Sequence, residues 1–253
     1  MTRVCIAGIT GWTGSAVAAA VDAADDLELV SGVSRSGAGQ ERVYGTVAEA
    51  LAAAPADVLV DYTSAEAVKE NVCAALDAGV AVVIGASGLT ENDYDEIDVR
   101  AREAGVGVIA AGNFSLLAAL LLRCAAEVAR HVGSWEILDY ASAEKPDVPS
   151  GTSRELAERL AGVRHPELAR AIDSLQGPIE ARGATVGGAQ IHSVRLPSFV
   201  VSTEIVFGAP GERLVLRHDP GESPEPYVGG TLYAVRAVRG RVGLTRGLDR
   251  LLT

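Results

Sequence analysis

Lys145-Pro146-Asp147-Val148-Pro149-Ser150-Gly151-Thr152, entered from Tyr140-Ala141-Ser142, joins a cation, two prolines and a Ser-Gly-Thr turn. The turn runs into a helical pattern from Ser153 to Leu160. Backbone N–H groups and a hydroxyl at a helix start, with an ammonium close in sequence, suit a carboxylate. Lys145 and Lys69 are the only lysines in a chain that otherwise uses arginine for positive charge. The lysine therefore reads as a choice of chemistry, and Ser150-Gly151-Thr152 as a device for holding a carboxylate.

A second constellation lies near the amino terminus. The run Val4 to Ala7 leads into Gly8-Ile9-Thr10-Gly11-Trp12-Thr13-Gly14, a G-x-x-G-x-x-G loop that opens a helix. Glycines there permit a tight turn and let the backbone approach a pyrophosphate seated on the helix N-terminus. The second strand runs to Val33 and Ser34-Arg35-Ser36, with no Asp or Glu to bind a ribose 2′-hydroxyl. An arginine flanked by serines suits a 2′-phosphate, so NADPH is expected in preference to NADH. Asp61-Tyr62-Thr63, Gly85-Ala86-Ser87-Gly88 and Asn113-Phe114 follow later strands, where ligands bind in such sheets. Gly8, Gly11, Trp12 to Gly14, Ser34 to Ser36, Tyr62-Thr63, Gly85 to Ser87 and Asn113-Phe114 are thus candidate cofactor residues. Taken singly, each loop also reads as plain turn chemistry.

The elements that must carry these loops follow from periodicity. Short apolar runs at Val4–Ala7, 27–30, 58–61, 80–84 and 106–109 alternate with helical patterns at 14–24, 47–54, 65–78 and 91–104. Near-continuous apolar strands between helices predict a doubly wound parallel sheet covered on both faces. The pattern then changes. A long apolar helix from Leu116 to Arg130 precedes a strand at 134–140, and strands at 189–195, 200–207 and 213–218 are joined by turns such as Gly208-Ala209-Pro210-Gly211. The expected organisation is an α/β, Rossmann-like dinucleotide-binding domain over residues 1–114. A second, α+β domain with a mixed, largely antiparallel sheet spans 115–223, and a helical tail over 224–253 joins the first domain.

Composition bounds the partners. The 253 residues are 48% hydrophobic, and a net charge of −11 argues against nucleic acid and against anionic membranes. The longest apolar run, Leu116 to Leu122, is too short to cross a bilayer. Cys5, Cys73 and Cys124 are scattered and lack metal-ligand spacing, so they read as reduced thiols and no metal is expected. With a strand at the very start, the expected location is the cytoplasm.

Together these segments resemble dihydrodipicolinate reductase, the NAD(P)H-dependent reductase of lysine and diaminopimelate biosynthesis. The glycine loop, Asp61-Tyr62-Thr63, Ile84-Gly85-Ala86-Ser87-Gly88, Asn113-Phe114-Ser115 and Gly211-Glu212-Arg213-Leu214 fall in the family's order. Lys145 to Thr152 looks like its Lys-x-Asp-x-Pro-Ser-Gly-Thr signature. The resemblance implies that Lys145 binds and polarises the substrate, that Gly151 and Thr152 hold a carboxylate of a small dicarboxylate, and that the chain assembles as a homotetramer or dimer. Hydride would pass from the nicotinamide to an electron-poor carbon conjugated with the imine.

The sequence departs from the family at proton delivery. Two adjacent histidines, the first regarded as the general acid, are replaced by Ala141 and Ser142, and the family's Gly-Glu-His-Thr segment by Val201-Ser202-Thr203-Glu204. Tyr140 and Lys145 are the candidate catalytic groups that remain near the signature. For Lys145 the competing reading is an ion pair with Asp147 or Glu144, and for Tyr140 it is packing. A reductase of another imine or imino/keto acid, or a non-catalytic NADPH-binding homologue, are the alternative functions.

Overall fold

The computed structural model describes residues 1–36 and 39–252; Gly37, Ala38 and Thr253, which fall within the expected spans 1–114 and 224–253, lie outside the described residues. The chain opens with β1 (Thr2–Ala7), α1 (Trp12–Asp22), β2 (Leu27–Val33), β3 (Val43–Tyr44), α2 (Val47–Ala53) and β4 (Val58–Asp61). It continues with α3 (Val68–Asp77), β5 (Ala81–Ile84), α4 (Glu91–Ala104), β6 (Gly107–Ala110), α5 (Leu116–His131), β7 (Ser134–Ala141) and α6 (Gly151–Ala161). Four short strands follow, β8 (Ala184–Val186), β9 (Ala189–Arg195), β10 (Val201–Ala209) and β11 (Glu212–His218), and the chain closes with α7 (Glu225–Val238) and β12 (Gly243–Arg246). Two compact units result: Met1–Leu116 with Pro224–Thr253, and Leu117–Ser223.

The first unit carries a seven-stranded sheet in the order β12-β6-β5-β4-β1-β2-β3, all parallel. Its central strands are apolar throughout because helices cover both faces: all four residues of β4 and of β5 are buried. Capping boxes start two of the helices, Thr46 with Glu49 at α2 and Thr90 with Asp93 at α4. Left-handed Gly105 ends α4. The order β3-β2-β1-β4-β5-β6 reverses direction at β1, so the loops after β1 and β4 flank the topological switch point where such sheets bind ligands.

Two strands here were not expected from the sequence, the two-residue β3 at one edge and β12 at the other. Instead of ending at β6, the sheet adds β12 beyond it, paired in parallel from Gly243↔Gly107 to Arg246↔Ala110. Four residues that include a glycine and an arginine carry no period of their own. They are recruited because the β6 edge and Asp98, which accepts the Leu244 N–H at 2.6 Å, supply their hydrogen bonds.

The second unit has a five-stranded sheet, β11-β10-β7-β9-β8, in which only β7 and β9 run parallel. Alternation along β7 decides its two faces. Trp135, Ile137, Asp139 and Ala141 are buried, whereas Glu136, Leu138 and Tyr140 are half-buried. The first set faces α5 and α6, where Ile137, Ile191, Ile205 and Phe207 pack with Ala125, Ala129, Leu156 and Leu160. Each of the isoleucine, leucine and phenylalanine side chains contributes on the order of 1.5–3 kcal/mol on full burial.

Candidate active site

The glycine loop is built as tightly as its spacing demands. Gly8 sits at φ +82° and its N–H donates to Val33 O (2.9 Å), while Gly11 N–H donates back to Gly8 O (2.9 Å). A Cβ on Gly8 would meet Tyr62 O at 2.5 Å, and one on Gly14 would lie well inside contact distance of Gly8 O. The loop therefore has no room for side chains at these two points. Trp12, Thr13 and Gly14 form the first turn of α1, whose N-cap Gly11 makes no side-chain hydrogen bond and whose first turn holds no acidic residue. Their N–H groups and the positive end of the helix form an anion cradle that a dinucleotide pyrophosphate fits.

Around this cradle the later loops converge. Thr10 Oγ1 and Ser34 Oγ lie 2.7 Å apart and Ser34 Oγ and Ser36 Oγ 3.2 Å apart, a hydroxyl chain beside exposed Arg35. Asp61, fully buried, accepts from Thr63 N–H (2.9 Å), Thr63 Oγ1 (2.6 Å) and Asn71 Nδ2 (2.8 Å), which sets the turn after β4. Burial nevertheless raises the Asp61 pKa. Gly85 and Ala86 N–H groups donate to Asp61 O, and a Cβ on Gly85 would collide with the Tyr62 ring. Asn113 Oδ1 accepts from Ser115 N–H (2.8 Å). Ser87 lies exposed in the same loop.

Two partners in this unit escaped the sequence reading. Tyr62 Oη lies 2.6 Å from Thr231 Oγ1, and Tyr62 meets Phe114 edge-on at 6.1 Å. Burial pushes the Tyr62 phenol well above its ordinary range, so it stays protonated. Gly230 lets α7 approach Phe114, because a Cβ there would overlap Phe114 O. The paired glycines at 229–230 inside a helical pattern were the available signal.

In the second unit the signature turn is organised around a carboxylate that the sequence did not single out. Asp139, fully buried, accepts five hydrogen bonds: from Ser150 N–H (3.0 Å), Ser150 Oγ (2.5 Å), Ser153 Oγ (3.1 Å), Ser193 Oγ (3.0 Å) and Arg195 Nη2 (2.8 Å). Burial by itself would raise its pKa, but the bonds from Ser150 and Arg195 outweigh that and hold the carboxyl below its ordinary value. The only clue in the sequence was an acid on the apolar side of an alternating strand.

The expected site residues divide on this geometry. Gly151 and Thr152 are the first two residues of α6, partly exposed, with Ser150 as N-cap. Ser150 is 1% exposed and its one hydroxyl proton is given to Asp139. It therefore shapes the turn and does not present a hydroxyl donor to a ligand. Lys145 Nζ is 2.8 Å from Asp147 Oδ1, the ion pair named as the competing reading. Such partly exposed pairs contribute at most about 1 kcal/mol, so the pair is exchangeable for an incoming carboxylate. Tyr140 lies apart from α6: its ring is on the opposite sheet face, against Phe199 (5.1 Å) and under Arg217 (5.0 Å). Burial and Glu204 raise its pKa. Ala141 is fully buried on the α6 side.

The chain matches the family models described as "Dihydrodipicolinate reductase, N-terminus" over residues 2–114 and "Dihydrodipicolinate reductase, C-terminus" over residues 116–252. It belongs to the dihydrodipicolinate reductase family. A 4-hydroxy-tetrahydrodipicolinate reductase of Cutibacterium acnes is 36% identical, with 100% of this chain and 99% of the relative covered. That of Mycolicibacterium vanbaalenii is 34% identical over 99% and 98%. Among solved structures, a dipicolinate-bound dihydrodipicolinate reductase from Paenisporosarcina sp. TG-14 superposes with a TM-score of 0.78 at 28% identity, covering both chains fully. As a member of a reductase family on a dinucleotide-binding sheet, the chain is an oxidoreductase that takes a nicotinamide cofactor. Among the described residues no His, Cys, Asp or Glu group is arranged to hold a metal ion, and no helix is long and apolar enough to cross a membrane.

Two measurable consequences arise directly. Of the two tryptophans, Trp12 is 50% exposed beside the cradle, 5.9 Å from Tyr227, while Trp135 is 3% exposed. Titration with NADPH is expected to quench the Trp12 part of the emission. Trp12→Phe should abolish that quenching, and quenching that survives the substitution would contradict it. The second concerns acid stability. Because the folded-state pKa of Asp139 is depressed, its contribution is complete above the unfolded value and is lost as pH falls through the folded one. The stability difference between wild type and Asp139→Asn, from urea unfolding, should hold from pH 7 to about 5 and narrow below about pH 4.

Proposed function

We propose that this reductase transfers hydride from NADPH, in preference to NADH, to the cyclic imine dicarboxylate 4-hydroxy-tetrahydrodipicolinate. This is the substrate in its relatives' names. The observation that carries the reading is the 145–152 turn: two helix-start N–H groups at Gly151 and Thr152, with a lysine five residues before their N-cap that is held by Asp147. That arrangement suits one carboxylate of a small dianion, and dipicolinate in the Paenisporosarcina relative is such a dianion.

The residues divide the work as follows. Gly8, Gly11 and the first turn of α1 cradle the pyrophosphate, with the loops at 62–63, 85–87 and 113–114 lining its path, and Thr10, Ser34, Arg35 and Ser36 meet a 2′-phosphate. The cofactor supplies the hydride. Gly151 and Thr152 orient the substrate through a carboxylate. Lys145 exchanges Asp147 for the substrate, stabilises charge that builds during reduction, and gives up the proton. Ala141 has no proton to give, and Tyr140 is turned to the far face of its sheet. We assign Tyr140, with Leu138, Val194 and Val206 on that half-buried face, to contact between copies in a cytoplasmic homotetramer or dimer.

The test is direct. Purified protein, NADPH and enzymatically generated substrate are mixed and nicotinamide absorbance is followed, with the Michaelis constants for NADPH and NADH compared. Oxidation with a lower constant for NADPH is expected. No oxidation despite tight NADPH binding would sink the assignment. Buried Ala141 in place of a histidine favours the second reading in that event, a reductase of another imine or imino/keto acid. Light scattering gives the assembly state.

A further inference from the structure

We propose that Asp139 is the positioning residue of the substrate turn, acting on the carboxylate-binding amides through Ser150 and on Lys145 through Arg195 and Asp147. The inference rests on the assignment of the 145–152 turn to the substrate. It starts from how hydroxyl protons are committed. Ser150 has one, and Asp139 Oδ1 takes it at 2.5 Å, so the oxygen's lone pairs are left for Ser153 N–H (3.4 Å). Ser153 in turn gives its proton to Asp139, which makes Thr203 the donor in the 3.1 Å contact between the two hydroxyls. The N-cap is thereby fixed in rotation as well as position. Gly151 and Thr152 are the two residues of α6 that lie between this N-cap and the capped Ser153 N–H, so the cap sets where they stand.

The other arm runs through Arg195. Its Nη2 bridges Asp139 Oδ2 and Asp147 O, both at 2.8 Å, and its Nη1 donates to Asp139 O at 3.3 Å. Asp147 then holds Lys145 Nζ at 2.8 Å. A single buried carboxylate thus sets the anion-binding amides and the backbone of the residue that holds the lysine. Asp139 touches neither substrate nor cofactor in this scheme. The paired strands β7 and β9 carry Asp139 and Arg195 two register positions apart, Asp139↔Ser193 and Ala141↔Arg195, and so on one face of the sheet.

The experiment compares wild type, Asp139→Asn and Asp139→Asn/Arg195→Gln as full chains. Asp139→Asn is expected to lower kcat/KM for the dicarboxylate about 100-fold, mainly through KM, since misplacing a binding turn by about 1 Å costs that much. Affinity for NADPH should be unchanged. Amide hydrogen exchange should quicken over residues 146–153 and not elsewhere. The double substitution removes the half-buried arginine left without its carboxylate and should recover Tm while leaving KM high. A merely structural role predicts the opposite: lower Tm, faster exchange throughout, and a KM that returns with Tm in the double variant. Either that KM recovery or unchanged exchange at 146–153 overturns the proposal. Should the wild type fail to reduce the substrate, the functional reading falls, and the exchange measurement still decides whether Asp139 positions the turn.

Discussion

Lys145→Ala is expected to lower kcat/KM for the imine dicarboxylate by about 1,000-fold, the upper range for removing one group that stabilises developing charge. NADPH affinity should not change, because the cradle of Gly8, Gly11 and α1 belongs to the other compact unit. Lys145→Arg separates the two duties of the lysine. A guanidinium can meet the substrate carboxylate but does not release a proton near neutral pH. The arginine variant should therefore restore KM and leave kcat low. Steady-state kinetics on both variants, with Tyr140→Phe as a near-neutral companion, checks this. Wild-type kcat in Lys145→Arg would take the proton away from Lys145.

Gly14→Ala has the second-largest expected effect, and it acts on the cofactor half. The new methyl would fall against Gly8 O and Gly8 C, backbone atoms that cannot rotate out of the way. Overpacking of this kind costs about 1–3 kcal/mol of stability, and here it also splays the loop that must close on a pyrophosphate. NADPH affinity is expected to fall by at least about tenfold, the equivalent of 1.4 kcal/mol. Gly229→Ala is the control: a Cβ there meets nothing within 4 Å, so the substitution should raise stability by up to about 1 kcal/mol through helix propensity alone. Calorimetric melting and NADPH titration on the two variants decide the point. Equal effects would mean that space at Gly14 is not the constraint.

Much of this molecule was legible before any coordinates. Strand β4 and helix α4 match their sequence ranges residue for residue, because an unbroken Val-Leu-Val run and a Thr-capped, Gly-terminated helix each carry local signals. Strands β3, β8 and β12 were missed, since two to four residues have no period and exist only because a neighbouring edge needs pairing. The site divides in the same way. The glycine loop and the 145–152 turn are contiguous in sequence, so spacing alone exposes them. Asp139, Ser193, Arg195 and Thr203 lie on three strands and meet only when β9, β7 and β10 pair.

The sequence by itself determined the doubly wound architecture, the family, the glycine loop and the alanine at 141, because each is written in local pattern or residue identity. Tertiary structure decided which way the polar groups face. Ser150 turns inward to Asp139, Tyr62 to Thr231, and Tyr140 away from α6. The reason is physical: a hydroxyl has one proton, a strand residue has one face, and only the packed chain fixes where each of them points.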